Sequence, residues 1–328
     1  MKKIFCLLLA CLILLIPLSS CARPTQKVSD SFYLMDTLIT VTLYAPTDTD
    51  TDAIFSKCEA ILSELDLLWS RTKEDSDTTR FNRSQAGDLS VDPRTRTLIR
   101  KALSVSAITD GAFDITVAPI LSLWQECEEA QRLPTDVEME AAVGITYVSA
   151  ISILDGMVSK SCGKTEIDFG GIGKGAAVTA LAEYLDACPI EGALISFGSN
   201  VAVVGSKPDG SAFRVAVKNP IDGNDYAKVV ELSPGEVLSV SGDYERYYTI
   251  GGEKYHHIID PTTGYPADTG LCSVAVICSD GAYADALSTA LFVMGEERAR
   301  MLYASGDYTF EAIFITSDGA VSTTDGLN

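Results

Sequence analysis

Several residue types that build common functional sites are scarce in this chain of 328 residues. The chain has two histidines, and its nine cysteines include no Cys-x-x-Cys pair, so the spacing typical of a zinc site is absent. Three of the cysteines lie in the first 21 residues and the other six are scattered along the chain. A disulfide framework is not expected at this length, and most of the six are interpreted as small buried hydrophobic residues.

Basic residues are scarce as well. The chain has 25 Lys and Arg against 45 Asp and Glu, which gives a net charge of −20. Such a surface keeps a protein in solution and argues against nucleic acid or an anionic membrane patch as a partner. An anionic nucleotide would therefore need a locally positive site, most simply a divalent cation.

One long apolar run is present, at residues 4–18, directly after Lys2 and Lys3. Its length and its basic flank predict an export signal rather than a membrane-spanning helix. The run ends Leu-Ser-Ser-Cys at residues 18–21, which resembles the lipobox of bacterial lipoproteins. That resemblance implies cleavage before Cys21 and a lipid on its sulfur, whereas the alternative is an ordinary signal peptide with an incidental cysteine.

These features predict an exported protein in three parts: a signal peptide over residues 1–20, a lipidated Cys21 with a tether to residue 30, and a single domain over residues 31–328. No linker rich in Pro, Gly or Ser divides the chain after residue 30, and no repeat is present. The expected location is the outer face of the bacterial cytoplasmic membrane, or the periplasmic side. Loss of the two leader lysines would leave 23 basic against 45 acidic residues, a net charge of −22.

Periodicity predicts alternating strands and amphipathic helices. Apolar residues at helical spacing predict helices over residues 51–69 and 97–108, one that opens at residue 284, and another over 295–305. A short helix over residues 134–143 is expected to be capped by Thr135, with Glu138 three residues on. Alternation predicts a strand within residues 31–44 and a series of antiparallel strands between residues 193 and 241.

The most informative stretch is residues 165–178, which read T-E-I-D-F-G-G-I-G-K-G-A-A-V. Ile167 and Phe169 alternate as in a strand, and the four glycines leave room for the close approach of a bulky anion. A helix is expected from Lys174 to about Ala187, and its first N–H groups would face that anion. With Asp168 before the turn and Lys174 inside it, the stretch indicates nucleotide chemistry.

Two common phosphate-binding motifs do not account for this stretch. Residues 171–176 fit G-x-G-x-x-A, but the next predicted strand, residues 193–197, runs into Gly-Ser-Asn without the acidic residue that a dinucleotide site needs. The nearby Gly-Lys-Thr at residues 163–165 lacks the first glycine of a P-loop, because Val158 stands at that position.

The stretch instead resembles the Asp-x-Gly-Gly-x-x-Lys-Gly segment of the ApbE family, the FAD:protein FMN transferases. Further segments resemble the same family in the same order: residues 35–37, 70–82, 111–124, 239–248, 254–266 and 284–290. The chain departs from the family pattern at Asp36, Thr72 and Ser199, which would lie on the rim that cradles the flavin. The resemblance implies an α+β fold with largely antiparallel sheets, flanking helices and a T-fold-like architecture, and a site in a cleft between two lobes.

The resemblance also implies a set of flavin-binding residues, namely Met35, Thr72, Ala112, Phe113, Asp114, Asp168, Lys174 and Ile259. Phe113 can stack on a planar ring, and Asp114 can accept a hydrogen bond from a ring N–H or a ribose hydroxyl. Two of these assignments have a plain structural alternative, because Asp114 could cap a helix and Met35 could be an ordinary core residue.

A magnesium site is expected on the helix that opens at residue 284. Asp285 and Thr289 are four residues apart, so their side chains lie on one helix face and offer the hard oxygen ligands that Mg²⁺ prefers. The resemblance places a divalent ion there, with a further ligand at Gly171 and with Ser288 as a possible helper.

The reaction implied by the resemblance is Mg²⁺-dependent transfer of FMN from FAD to a threonine hydroxyl of an exported acceptor flavoprotein, with release of AMP. Asp168, Lys174 and His257 are the candidates for orienting or deprotonating groups. Family acceptors resemble Asp/Ser-x-x-Ser/Thr-Gly-Ala-Thr segments, so a groove for an extended peptide is expected beside the metal. Two alternatives stay open: a Mg²⁺-dependent FAD pyrophosphatase that gives FMN and AMP, and a flavin-binding lipoprotein without catalysis.

Overall fold

The structure is a computed structural model that describes residues 24–221 and 226–327. The predicted signal peptide and Cys21 lie outside the described residues. Within these two ranges, no helix combines the length and the apolar character that crossing a membrane requires.

Eight strands of the described chain form one antiparallel sheet. In spatial order they are β1 (Thr25–Leu34), β2 (Thr37–Pro46), β6 (Gly192–Phe197), β7 (Asn200–Gly205), β10 (Val237–Gly242), β13 (Leu271–Cys278), β14 (Glu311–Thr316) and β15 (Val321–Thr323). Each neighbouring pair is antiparallel. The predicted antiparallel pairing is therefore confirmed. The sheet also joins strands that are far apart in the sequence, such as β2 with β6 and β10 with β13.

Three smaller groups of strands accompany this sheet. A three-stranded sheet has the order β3 (Gly87–Leu89), β5 (Met157–Lys160), β4 (Ile151–Leu154), so β5 is its central strand. The other two are ribbons, β8 (Phe213–Lys218) with β9 (Tyr226–Leu232), and β11 (Tyr247–Ile250) with β12 (Glu253–His256).

Seven α-helices are present in the described ranges, in accord with the predicted α+β class. They are α1 (Thr51–Trp69), α2 (Asp77–Arg83), α3 (Pro93–Ile108), α4 (Ala118–Glu129), α5 (Asp136–Val143), α6 (Gly173–Asp186) and α7 (Gly281–Ser305). Side-chain caps fix the N-termini of two of these helices. Asp50 caps α1, and Thr135 and Glu138 form the predicted capping box of α5.

The core lies on both faces of the main sheet, and β13 shows why. All eight of its residues are buried. Val274 and Val276 pack with the helices, whereas Ala275 and Ile277 pack with the β8–β9 ribbon on the opposite face. A strand covered on both sides reads as a continuous apolar run, as this one does.

Two predicted elements need correction. Residues 31–44 belong to two strands rather than one: β2, and β1, which already begins at Thr25 within the predicted tether. The turn between them is at Met35 and Asp36, which both have positive φ angles (51° and 55°). The helix predicted from residue 97 begins at Pro93, where Asp92 caps it. The two helices predicted around residues 284 and 295 are confirmed, because the non-helical Gly295 (φ 75°) divides α7 into two helical segments.

The predicted strand at Ile167 and Phe169 is also wrong, although both side chains are buried as expected. The amide of Asn82 takes the place of a partner strand: Ile167 N–H donates to Asn82 Oδ1 (2.8 Å), and Asn82 Nδ2 donates to Ile167 O (3.0 Å). Asp168 N–H donates to Ile115 O (2.8 Å). The segment is therefore an extended loop that side-chain and loop contacts hold in place.

Candidate functional site

The Asp285 carboxylate lies buried on α7, and three donors from three other elements hold it. Its Oδ2 accepts from the Gly175 N–H of α6 at 2.9 Å. Its Oδ1 accepts from Ser239 Oγ (3.2 Å, β10) and from Asn200 Nδ2 (3.4 Å, β7). Because a carboxylate can accept about four hydrogen bonds, it retains acceptor capacity for a further ligand.

Gly175 does not serve the role expected of it, which was to leave space for an anion. A Cβ at Gly175 would lie 1.9 Å from Gly281 O, so this glycine allows α6 and α7 to cross closely. The same crossing brings the Gly175 N–H to Asp285. Gly171 is partly exposed and lies beside Phe113 and Thr289, since a Cβ there would lie 3.2 Å from Phe113 Cε2 and 3.5 Å from Thr289 Oγ1.

Three more hydroxyl groups, besides that of Ser239, lie near Asp285. Ser241 Oγ is 2.8 Å from Ser288 Oγ and 3.1 Å from Thr289 Oγ1, and Ser288 Oγ donates to the Asp285 carbonyl oxygen (2.8 Å). The structure therefore brings together the four residues predicted for the metal, Gly171, Asp285, Ser288 and Thr289. It adds Ser241 and Asn200, whose motifs were noted in the sequence but to which no role was given.

This donor set fits a magnesium ion. Among the described residues, no group of three or more His, Cys, Asp or Glu side chains could hold a metal, which argues against a zinc-type site. One carboxylate with hydroxyl and carbonyl oxygens is the sparse, hard set that Mg²⁺ uses when substrate phosphates supply other ligands. Asn200 Oδ1, beside Asp285, is buried without a hydrogen-bond partner, which is consistent with an additional polar ligand here.

Asp168 precedes the glycine-rich turn and is paired with an arginine that the sequence analysis missed. Its Oδ1 accepts from the Gly170 N–H (2.6 Å), and its Oδ2 lies 3.4 Å from Arg71 Nε. Arg71 lies within the segment 70–82 that resembles the family, but an arginine in a polar loop carries no signal of its own. Lys174 Nζ donates to Gly170 O (2.9 Å), so the ammonium group lies at the turn as predicted.

His257 is held with one ring nitrogen free. Its Nδ1 is 2.9 Å from Arg246 O, and because a carbonyl oxygen only accepts, Nδ1 carries the proton and Nε2 has an open lone pair. Burial lowers the pKa of His257 to about 4, and the positive charges of Arg246 and Lys174 act in the same direction. His257 is therefore neutral at pH 7 and able to accept a proton.

The predicted flavin-binding residues do not all lie at the glycine-rich turn. Met35 and Phe113 lie at the glycine-rich turn, since a Cβ at Gly173 would lie 3.8 Å from Met35 Cε. Ala112, next to Phe113, is buried in the main core. Ile259 instead belongs to a separate buried cluster around Trp124.

Asp114 and Thr72 make local contacts. Asp114 accepts from Thr116 N–H and Oγ1 (both 2.7 Å) and from Val148 N–H (2.9 Å), so it acts as the cap that was the structural alternative. Burial raises the pKa of Asp114. Thr72 Oγ1 lies 3.0 Å from Ser70 Oγ in the same turn.

Comparison with known proteins identifies the family of this chain. Residues 35–314 match the model of the ApbE family. Among curated proteins, the FAD:protein FMN transferase of Vibrio cholerae is 32% identical over 311 residues, which cover 93% of this chain and 92% of that protein. The corresponding protein of Haemophilus influenzae is 27% identical over 98% of this chain and 96% of its own length.

Solved structures show the same similarity. The apo form of the Pseudomonas stutzeri flavinyl transferase ApbE has a TM-score of 0.81 at 31% identity and covers 92% of this chain and 95% of its own. The ApbE protein of Thermotoga maritima has a TM-score of 0.83 at 30% identity, with 92% and 98% covered.

Proposed function

The chain belongs to the ApbE family, and on that basis we propose that it is a Mg²⁺-dependent FAD:protein FMN transferase. FAD is the donor substrate and a flavoprotein is the acceptor, as the names of the relatives indicate. The observation that carries the proposal is the position of Asp285 and its hydroxyl neighbours beside Gly171, two residues before the N-terminus of α6.

The metal would be held by Asp285 and Thr289, with the Gly171 carbonyl and Ser288 beside them. When bound, Mg²⁺ would neutralise charge on the pyrophosphate of FAD. The chain adds the positive end of the α6 dipole and the Lys174 ammonium at the turn, whereas the Gly173 and Gly175 N–H groups already donate to Phe169 O and Asp285. The dipole and the ammonium would bind and orient the pyrophosphate beside Asp285.

The transfer step needs a base for the acceptor hydroxyl. The threonine oxygen attacks the phosphorus on the flavin side, a new P–O bond forms, and the P–O bond to AMP breaks. His257 Nε2, with its open lone pair, takes the hydroxyl proton. The Arg71–Asp168 pair lies at the turn and would help to orient the substrate.

The test is mass spectrometry of a threonine-bearing acceptor domain incubated with residues 22–328, FAD and Mg²⁺. We expect a mass gain that corresponds to FMN, and we expect it to vanish with EDTA and in Asp285→Ala. Glu297→Ala is the matched control, because Glu297 is an exposed carboxylate on the same helix. Free FMN and AMP without an adduct would favour the pyrophosphatase, and intact bound FAD with several acceptors would favour a flavin carrier.

A further inference from the structure

Lys160 is an almost fully buried lysine (2% exposed) outside the residues assigned so far. Its ammonium group is surrounded by backbone carbonyls: Nζ donates to Phe81 O (2.8 Å) and Thr165 O (3.1 Å), with Gly163 O at 3.3 Å and Asn82 O at 3.4 Å. It also lies 4.8 Å from the centre of the Phe81 ring. Lys160 ends the central strand β5, so its backbone is fixed on both sides.

A buried ammonium usually has a carboxylate partner. Within residues 24–221 and 226–327, none of the observed ion pairs includes Lys160. Burial lowers its pKa, in keeping with this environment. The contacts of Lys160 therefore stabilise the two backbone segments that supply the carbonyls, residues 81–82 and 163–165.

These two segments lead directly to the Arg71–Asp168 pair. The Asn82 side chain, one residue beyond Phe81, pairs with both backbone groups of Ile167, the residue before Asp168. Three residues earlier on the same helix α2, Thr79 Oγ1 donates to the Arg71 carbonyl oxygen (3.1 Å). One short helix thus holds Arg71 at one end and the Asp168 loop at the other, and Lys160 joins that helix to the loop.

We propose that Lys160 is a positioning residue, whose ammonium group binds carbonyls of both segments and so sets the distance between Arg71 and Asp168. It would act on transfer only through that pair, because its own atoms are buried beneath the loop. The inference rests on the proposed function for the role of Asp168. The effect of Lys160 on the loop that carries Asp168 can be tested without measuring catalysis.

The first measurement is amide hydrogen exchange in Lys160→Met, with Lys164→Met as the matched control. Lys164 lies in the same loop but is exposed. We expect exchange at Ile167 and Asp168 to be at least about tenfold faster in Lys160→Met and unchanged in the control. Unchanged exchange in both variants would overturn the proposal, whether or not the protein transfers FMN. If Lys160→Met fails to fold, Lys160→Gln keeps an N–H donor and is expected to show a smaller increase at the same amides.

The second measurement is a double-mutant cycle on the transfer rate. We expect Lys160→Met to lower kcat by about 10-fold or more in the wild-type background, with KM for FAD changed less, and by less than about 2-fold in Asp168→Ala. Equal losses in the two backgrounds would show that Lys160 acts only on stability and would overturn the positioning role. Absence of transfer by the wild-type protein would instead count against the proposed function and leave the exchange result to decide on Lys160.

Discussion

The proton acceptor proposed for the transfer step, His257, is kept neutral by the part of the chain around it. Its Nδ1 donates to the Arg246 carbonyl, and burial lowers its pKa to about 4. A base with such a pKa accepts a proton only weakly in the ground state. With this pKa, nearly all His257 side chains are unprotonated at pH 7 and can act as a base. A histidine with the ordinary pKa of about 6.5 would be partly protonated at the same pH.

The lowered pKa of His257 predicts a specific dependence of stability on pH. The unfolded chain binds a proton at His257 near pH 6.5, whereas the folded chain does so only near pH 4, so protonation favours the unfolded state. Stability should therefore fall as the pH is lowered from about 7 to 4. In His257→Gln, about 1–2 kcal/mol of the loss between pH 7 and pH 5 should be absent.

Urea unfolding at a series of pH values measures this effect. His256→Gln serves as a comparison variant, because burial also lowers the pKa of His256. The Nε2 atom of His256 contacts a different carbonyl, that of Ala267. Equal pH slopes for the wild-type protein and His257→Gln would contradict the prediction.

At the residue scale, the sequence predicted those contacts that follow from the spacing of residues on a helix. Asp285 and Thr289 could be paired because four residues separate them on a helix, and the structure places them with Gly171 and Ser288. Arg71, Ser241 and Asn200 could not be assigned, because each reaches the site from a different part of the chain. Asp114 caps the turn at Thr116 as the structural alternative predicted, and it also accepts from the Val148 N–H, a contact that spacing could not indicate.

At the scale of elements, the β1–β2 turn departs from the family pattern at Asp36, and its geometry explains what glycine would contribute. Met35 and Asp36 both have positive φ angles, a conformation that costs most L-residues about 1–2 kcal/mol, and aspartate less. We expect Asp36→Gly to raise the free energy of unfolding by about 0.5 kcal/mol, after the greater flexibility of glycine in the unfolded chain is subtracted.

Thermal unfolding of Asp36→Gly checks this prediction against Asp30→Gly. Asp30 is an exposed residue inside strand β1, where a glycine should lower stability by about 0.5–1 kcal/mol. A loss of stability in both variants would show that Asp36 makes contacts in the turn that outweigh the backbone strain.

The crossing of α6 and α7 is the contact between elements that brings the Gly175 N–H to Asp285. Gly175 and Gly281 meet backbone to backbone, since a Cβ at Gly281 would lie 2.2 Å from Gly175 O. Gly175→Ala should force the helices apart and cost about 3 kcal/mol of stability. It should also move the Gly175 N–H away from Asp285 and so weaken the Mg²⁺ binding that we propose.

Urea unfolding and Mg²⁺ titration of Gly175→Ala separate these two consequences. Glu183→Ala on α6 is the control, because Glu183 is exposed on that helix and should change neither quantity. Wild-type stability in Gly175→Ala would mean that the helices can separate at little cost.

The extended loop at residues 165–169 shows the limit of periodicity at this scale. Alternating burial of Ile167 and Phe169 is the pattern of a strand, and the burial is observed. The hydrogen bonds of Ile167 are made by a side chain 85 residues earlier in the chain. No local rule distinguishes an asparagine amide from a neighbouring strand as the partner of an extended backbone.

At the scale of the whole molecule, the site exists because strands distant in sequence form one sheet. Ile39, Phe197, Asn200 and Ser239 lie in one row across β2, β6, β7 and β10. The last two of them contact Asp285 from β7 and β10. The antiparallel class was predictable from the alternation of each strand, but this spatial order was not, because β2 and β6 are separated by the helices of nearly half the chain.

The final prediction concerns the cellular location of this strongly acidic protein. We propose that it is exported and held at the membrane by a lipid on Cys21, since an apolar run at residues 4–18 follows Lys2 and Lys3 and ends in the lipobox-like Leu-Ser-Ser-Cys. Expressed in a bacterium, the full chain should incorporate radioactive palmitate and sediment with membranes. Cys21→Ser should lose both properties, whereas Cys11→Ser, a change within the leader, should keep them. Labelling that persists in Cys21→Ser would contradict lipidation at that sulfur, and a secreted, unlabelled wild-type chain would indicate an ordinary signal peptide.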